Sequence, residues 1–300
     1  MSEDPRWPRA SAWLAAGDAD GPCDIAVVGV PASRTSLSPT HAHLTPTAIR
    51  EALSRYSTYS WTHGVDIATL VAVDAGDVLD PDGPEGESRV QERVAELVAR
   101  SRLVVGLGGD NSITYSVARG AWGAEGVRAG LITLDAHHDL RDGASNGSPV
   151  RRLVDAGLAG TRVVQVGIND FSNSYDYAMR ARDLGITVVT RDALRRRPLS
   201  DVMAEALAVA SSGGGPVHVD LDVDVCDRAF VPGCPAAAPG GLTADELRQV
   251  AFQAAKSPRV RSLDITEIDA AADAPDGRTV RLGALLILEA AAALALRSVD

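Results

Sequence analysis

The apolar run Gly130-Leu-Ile-Thr-Leu134 stops abruptly at Asp135-Ala-His137-His138-Asp139. A strand without polar alternation is buried on both faces, so it belongs inside a parallel sheet covered by helices. Carboxylates and imidazoles do not belong in that core, so they must lie just past the strand's end. Open α/β sheets bind ligands there. In extended chain Asp135, His137 and Asp139 point the same way. Three such side chains make half a metal site.

Pro216-Val-His-Val-Asp220-Leu-Asp222-Val-Asp224 supplies the other half: a second strand that turns acidic at period two. One such cluster would read as a solvated turn. Two, both at the ends of buried strands, change the balance, because converging carboxylates resist ionising unless a cation holds them.

Strand-like runs recur at residues 24–30, 69–73, 102–107, 130–134, 162–168, 186–190, 216–221 and 260–265. Helical stretches at 88–101, 112–119, 149–156, 174–184, 200–211 and 243–256 fall between most of them, and 278–297 closes the chain. Alternation of this kind predicts an α/β fold, a three-layer α/β/α arrangement around a mostly parallel sheet. The expected organisation is an N-terminal segment, 1–23, and one catalytic domain, 24–300. Residues 81–87 read as an exposed turn. Four predicted strands end in chemical groups: Gly109-Asp110-Asn111-Ser112, the Asp/His cluster, the Asp222 segment and Glu267-Ile-Asp269. In a parallel sheet all four ends face one crevice.

The net charge of −11 argues against nucleic acid or an anionic membrane surface as partner. Three cysteines without a CxxC spacing read as reduced thiols, and MSEDPRWPRA lacks an apolar signal core, so a cytoplasmic protein is expected. The apolar stretch 282–296 carries Glu289 and is too short for a membrane span, so it reads as a buried C-terminal helix. Gly108-Gly109 is not followed by a phosphate-loop pattern.

The four segments resemble the ureohydrolase (arginase) family, whose pattern is GGDHS, DAHxD, SxDxDxxDPxxAPG and DIxE. The chain has Gly108-Gly-Asp-Asn111-Ser, Asp135-Ala-His-His-Asp139, Asp220-Leu-Asp222-Val-Asp224-Val-Cys-Asp227 and Asp264-Ile-Thr-Glu267, in that order. Four ordered motifs are far more specific than any one of them. Asn111 and Asn146 stand where arginases and agmatinases carry histidines. These replacements, with Ser145-Asn-Gly-Ser-Pro-Val-Arg151 and Asp170-Phe-Ser-Asn-Ser, resemble the formimidoylglutamase branch.

The resemblance implies two Mn²⁺ ions per subunit, bridged by Asp135 and Asp222. Asn111 and Asp139 would complete the first ion and His137 and Asp224 the second. A bridging hydroxide would attack the carbon of an amidinium, Asp139 would orient it and carry a proton, and Glu267 would pair with the amidinium. The implied reaction converts N-formimidoyl-L-glutamate to glutamate and formamide in histidine catabolism. The alternatives are a guanidino substrate that releases urea, or a non-catalytic homologue. The family also implies a homo-oligomer, a trimer or hexamer.

A dicarboxylate substrate needs local positive charge. Arg141 and Arg151 are the expected contributors because Asn146-Gly-Ser148 lies between them and could hold the nearer carboxylate ahead of the next helix. Arg34 and Arg152 are further cations near these loops. His138 should point away from the ligands, His218 should be a hydrogen-bonded core histidine, and Asp227 and Asp264 should cap or orient loops.

Overall fold

The computed structural model describes residues 4–18 and 21–297. Its strands are β1 (Cys23–Val30), β2 (Tyr59–Ser60), β3 (Val65–Asp66), β4 (Ala72–Asp77), β5 (Ser101–Gly108), β6 (Gly130–Leu134), β7 (Val163–Ile168), β8 (Thr187–Thr190), β9 (Val217–Asp222) and β10 (Val260–Thr266). Its α-helices are α1 (Ala10–Leu14), α2 (Thr45–Ala52), α3 (Gly83–Arg100), α4 (Ile113–Trp122), α5 (Pro149–Asp155), α6 (Tyr175–Asp183), α7 (Arg191–Leu194), α8 (Leu199–Ala210), α9 (Ala244–Lys256) and α10 (Arg278–Ala295).

Eight strands form one sheet in the order β4-β1-β5-β10-β9-β6-β7-β8, and every pairing in it is parallel. β2 and β3 form a separate hairpin. Alternation along each strand divides the core between the two faces. Ile25, Val27, Leu103, Val219 and Leu263 pack with α2, α8, α9 and α10 on one side. Ala26, Val28 and Val104 pack with α3 and α4 on the other, and Leu131 and Val163 with α4 and α5. The expected three-layer α/β/α architecture is therefore the one observed.

Several boundaries differ from the sequence reading. Within the expected N-terminal segment, Ala10, Trp13 and Leu14 of α1 belong to the main core, and Trp13 Nε1 donates to the Leu70 carbonyl at 3.1 Å. Burying a large apolar side chain contributes roughly 1.5–3 kcal/mol, enough to dock so short a helix. The strand expected at 69–73 is β4, shifted C-terminally, because Ile67–Thr69 forms a 3-10 turn first. Residues 83–87, expected as an exposed turn, are the first turn of α3, with Pro84 early in the helix and Glu85 at its positive end. α10 confirms the buried closing helix, and among the described residues no helix is long and apolar enough to cross a membrane. Cys226 and Cys234 are buried thiols, Cys23 is partly exposed, and all three are free.

The sheet order determines the site. β5, β10, β9 and β6 are consecutive at the centre of the sheet, and these are the four strands with chemical ends. Gly109 makes the junction at β5 possible. A Cβ there would lie 1.9 Å from the Ala32 carbonyl oxygen, and its own carbonyl accepts Glu267 N–H at 3.0 Å.

Candidate metal centre and substrate pocket

Beyond Leu134 the chain does not stay extended. His137 N–H donates to Asp135 Oδ1 at 2.6 Å, folding the loop back, and Asp139 sits at φ 53°. Glu267 at the end of β10 has φ 62°. Left-handed backbone is uncommon for such residues, and it persists only where the surroundings enforce it, often at functional sites. Strict period-two alternation therefore does not place Asp139; a strained turn does. Asp222 ends β9, and the next three residues form a 3-10 turn in which Asp222 Oδ1 accepts Asp224 N–H at 2.8 Å. That turn swings the Asp224 carboxylate to the Ala136 N–H (3.0 Å) and to His137 Nδ1 (2.7 Å).

The result is a cluster in which Asp135, His137 and Asp224 each offer a ligand atom within 4.8 Å of the others. Asp139, Asp222 and Glu267 line the same cavity of about 390 Å³ as His137 and Asp224. Asp135 Oδ2 is buried and has no hydrogen-bond partner among the described residues. An orphaned carboxylate oxygen beside other carboxylates is what a cation would satisfy. The oxygen-rich donor set with one imidazole fits Mn²⁺ better than Zn²⁺.

The electrostatics carry the same signature. Burial, reinforced by Asp224, pushes the Asp135 carboxyl up to about 7. Burial and the Asp135 charge push Asp139 well above the carboxylate range, and burial and Asp224 do the same to Asp222. Burial, then Asp110, raises Glu267 to about 7 against the hydrogen bonds from Asn146 and Asn111. Burial opposes the charge on His137, yet Asp224 and Asp135 overcome it and push the imidazole up to about 12. Burial also opposes the charge on Asp224, but His137 holds it below its usual value.

A group whose folded pKa is raised contributes stability that is complete below its unfolded pKa and is lost as pH rises through the folded one. For Asp135 and Glu267 that loss runs from the ordinary carboxylate range up through about 7. His137 adds to it only on the more alkaline side. Metal-free protein should therefore melt at a lower temperature at about pH 8 than at about pH 5.5, and Mn²⁺ should raise the alkaline melting point most, with proton release. Calorimetry in two buffers of different ionisation enthalpy measures both; a manganese effect independent of pH would sink the argument.

Asn111 lies beside this cluster, but its carboxamide is turned. Its Nδ2 donates to Asp139 Oδ2 at 2.6 Å, while its Oδ1 accepts Thr114 Oγ1 (2.7 Å) and Thr266 Oγ1 (3.2 Å). The oxygen expected to ligate the first metal accepts these two hydroxyls, and the amide nitrogen holds Asp139. Asn146, expected on the substrate side, lines the cavity; its Nδ2 donates to Glu267 Oε1 at 2.9 Å and its Oδ1 accepts Leu37 N–H at 3.0 Å. Asn111 N–H also donates to Glu267 Oε1, at 2.8 Å. Both bonds fall on Oε1, and among the described residues Oε2 makes none.

The structure separates the expected carboxylate binders. Arg141 is exposed, lines the cavity and makes no ion pair or side-chain hydrogen bond among the described residues. Arg151 does not reach the cavity. Its guanidinium braces the loop before it, donating to the Arg141 carbonyl (2.6 Å) and the Gly143 carbonyl (2.5 Å) and pairing with Asp155. Ser148 is fully buried and its hydroxyl closes a turn with Ser145, donating to the Ser145 carbonyl at 2.9 Å and accepting Ser145 N–H at 2.8 Å. Arg152 pairs with Glu87, and Arg34 lies nearest Asp80 and Asp82.

His138 points away from the cluster and lies 2.7 Å from Gln165 Oε1. His218 is fully buried with Nδ1 2.8 Å from Ser262 Oγ. Asp227 orients its loop by accepting Ala229 and Gly240 N–H. Asp264 does not: it stays inside the sheet, 3.2 Å from His218 Nε2 but out of line for a hydrogen bond. Ser172, Asn173, Ser174 and Tyr177 also line the cavity. Sequence reasoning noted that segment only as part of the resemblance. Its position beside the site follows from β7 adjoining β6.

A parallel sheet with an acid-rich metal cluster across its central strand ends defines a class, and the model of the arginase family matches residues 23–293. The chain belongs to that family. Within it, the chain is 37% identical over 256 residues to the formimidoylglutamase of Halalkalibacterium halodurans, covering 82% of this chain and 80% of the relative. The crystal structure of formimidoylglutamase from Bacillus subtilis superposes with a TM-score of 0.92 at 32% identity, covering 99% of this chain and 95% of the other. A Trypanosoma cruzi formiminoglutamase solved with two Mn²⁺ superposes with a TM-score of 0.87 at 25% identity, over 97% of this chain and all of the other.

Proposed function

We propose that the protein is a manganese-dependent hydrolase that converts N-formimidoyl-L-glutamate to glutamate and formamide. The observation that carries the reading is the pairing, in one cavity, of the Asp135-His137-Asp224 cluster with a buried carboxylate, Glu267, and an unpaired cation, Arg141. The relatives named formimidoylglutamase and the manganese pair in the Trypanosoma enzyme support it.

Asp135, His137, Asp139, Asp222 and Asp224 would hold the metal pair. Bound there, two divalent cations lower the pKa of a shared water and supply a nucleophile at neutral pH. Glu267 would present Oε2 to the cationic amidinium through a charge-assisted hydrogen bond. Asp139, held by the Asn111 carboxamide, would orient the attacking water and take its proton to the leaving nitrogen. Arg141, at the exposed side of the same cavity, would pair with a substrate carboxylate. A cavity of about 390 Å³ is of the right size for so small a molecule.

Product analysis tests the reading. Protein loaded with Mn²⁺ should release formamide from formimidoylglutamate and little urea from agmatine, whose amine would face Arg141. Arg141→Ala should raise KM for formimidoylglutamate by about one to two decades at unchanged metal content, the effect of losing one charged hydrogen bond. Urea from agmatine without formamide from formimidoylglutamate would replace this substrate with a guanidino compound.

A further inference from the structure

The loop after β1, residues 33–41, borders the cavity through Leu37 and Ser38. Side chains from other loops hold it at intervals. Asp82 accepts the N–H groups of Ser33 (3.2 Å) and Arg34 (2.9 Å). Asp110 Oδ2 accepts Ser36 Oγ–H at 2.5 Å, and Asp269 Oδ2 accepts His41 N–H at 2.9 Å. A further anchor is Asn146, whose Oδ1 accepts Leu37 N–H at 3.0 Å and whose own backbone N–H donates to the Thr35 carbonyl at 3.4 Å. Of these anchors it alone also bonds Glu267, through Nδ2 at 2.9 Å.

We infer that Asn146 is a positioning residue that links the seating of the 33–41 loop to the orientation of Glu267. The inference rests on the reading of Glu267 as the amidinium partner. The chemistry of the side chain suits the task. A carboxamide accepts with one atom and donates with the other, so it ties a backbone N–H to a carboxylate without itself titrating. An aspartate would keep the first bond and lose the second; an alanine would lose both. Glu267 Oε1 then holds Asn146 and Asn111 together, and Asn111 in turn holds Asp139. A loop that lifts withdraws Leu37 from Asn146 and frees the Glu267 carboxylate to turn. A loop that closes over substrate fixes both, which commits binding energy from the cavity's rim to the reacting centre.

Two measurements test this. Amide hydrogen exchange at Leu37 reads the loop without any turnover. Exchange should quicken about tenfold or more in Asn146→Ala, stay near the unmodified protein in Asn146→Asp, and quicken in Glu267→Ala, which removes the carboxylate on the far side of the carboxamide. Turnover of formimidoylglutamate should fall roughly 10- to 100-fold in kcat for both Asn146 variants, with manganese content unchanged. Leu37→Pro, which lacks the N–H, should lower kcat in the same direction, and its effect should not add to that of Asn146→Ala. Leu37 exchange unaltered by Glu267→Ala, or strictly additive Leu37 and Asn146 effects, would overturn the inference. If the unmodified enzyme releases no formamide while the exchange responses appear as described, the link stands and the substrate assignment fails.

Discussion

Asp135→Ala and Asp222→Ala should each strip the protein of manganese and of measurable hydrolysis. Both carboxylates are buried at the ends of adjacent strands, and one oxygen of Asp135 has no hydrogen-bond partner among the described residues. Removing one member of a buried ionic cluster typically costs about 3–5 kcal/mol, which corresponds to roughly two to four decades in metal affinity. Misfolding can be told apart from site loss. Deleting a buried carboxylate relieves repulsion among the rest, so the metal-free Asp135→Ala protein should melt no lower, at alkaline pH, than the metal-free parent. Metal per chain and melting temperature are the two readouts. Either variant turning over with a full complement of manganese would end the proposed metal assignment.

The second large effect is expected at Glu267. Glu267→Gln keeps the shape of the side chain, so the left-handed backbone and the bonds from Asn111 and Asn146 can persist. What disappears is the negative charge opposite the amidinium. Loss of a charged partner costs about 1.5–3 kcal/mol, and more where the partner is left buried and unpaired. A fall of about two decades in kcat/KM is expected, with manganese retained. An equal fall for a neutral amide analogue of the substrate would mean that charge pairing is not the role of Glu267.

The sequence exposed the fold because every central strand is buried on both faces and announces itself as an apolar run. It exposed Asp135, His137, Asp222, Asp224 and Glu267 because polar residues at the end of such runs have few alternative explanations. It was less informative where position depends on a turn or a long side chain. Arg141 and Arg151 flank the same loop, yet only one lines the cavity. The other finds carbonyls of its own loop and an aspartate one helical turn away, a choice made by tertiary geometry. The contacts of Asn111 and Asn146 were equally hidden. A carboxamide can present either end, and its partners here come from segments between 3 and 155 residues away. No element was expected between residues 31 and 68, so α2 and the β2–β3 hairpin were missed.

The position of β10 has a consequence for how the chain reaches this state. Its residues, 260–266, follow every other strand of this sheet in chain order, yet they lie in the middle of the sheet between β5 and β9. The earlier strands cannot close into their final order until that gap is filled, and the contacts that fill it span well over a hundred residues toward β5. Pairings of such long range are slow to form. Glu267 arrives with the same strand. A nascent chain that already displays Asp135, His137, Asp222 and Asp224 thus still lacks the strand that seats them, so the cluster is completed only once β10 has joined the sheet.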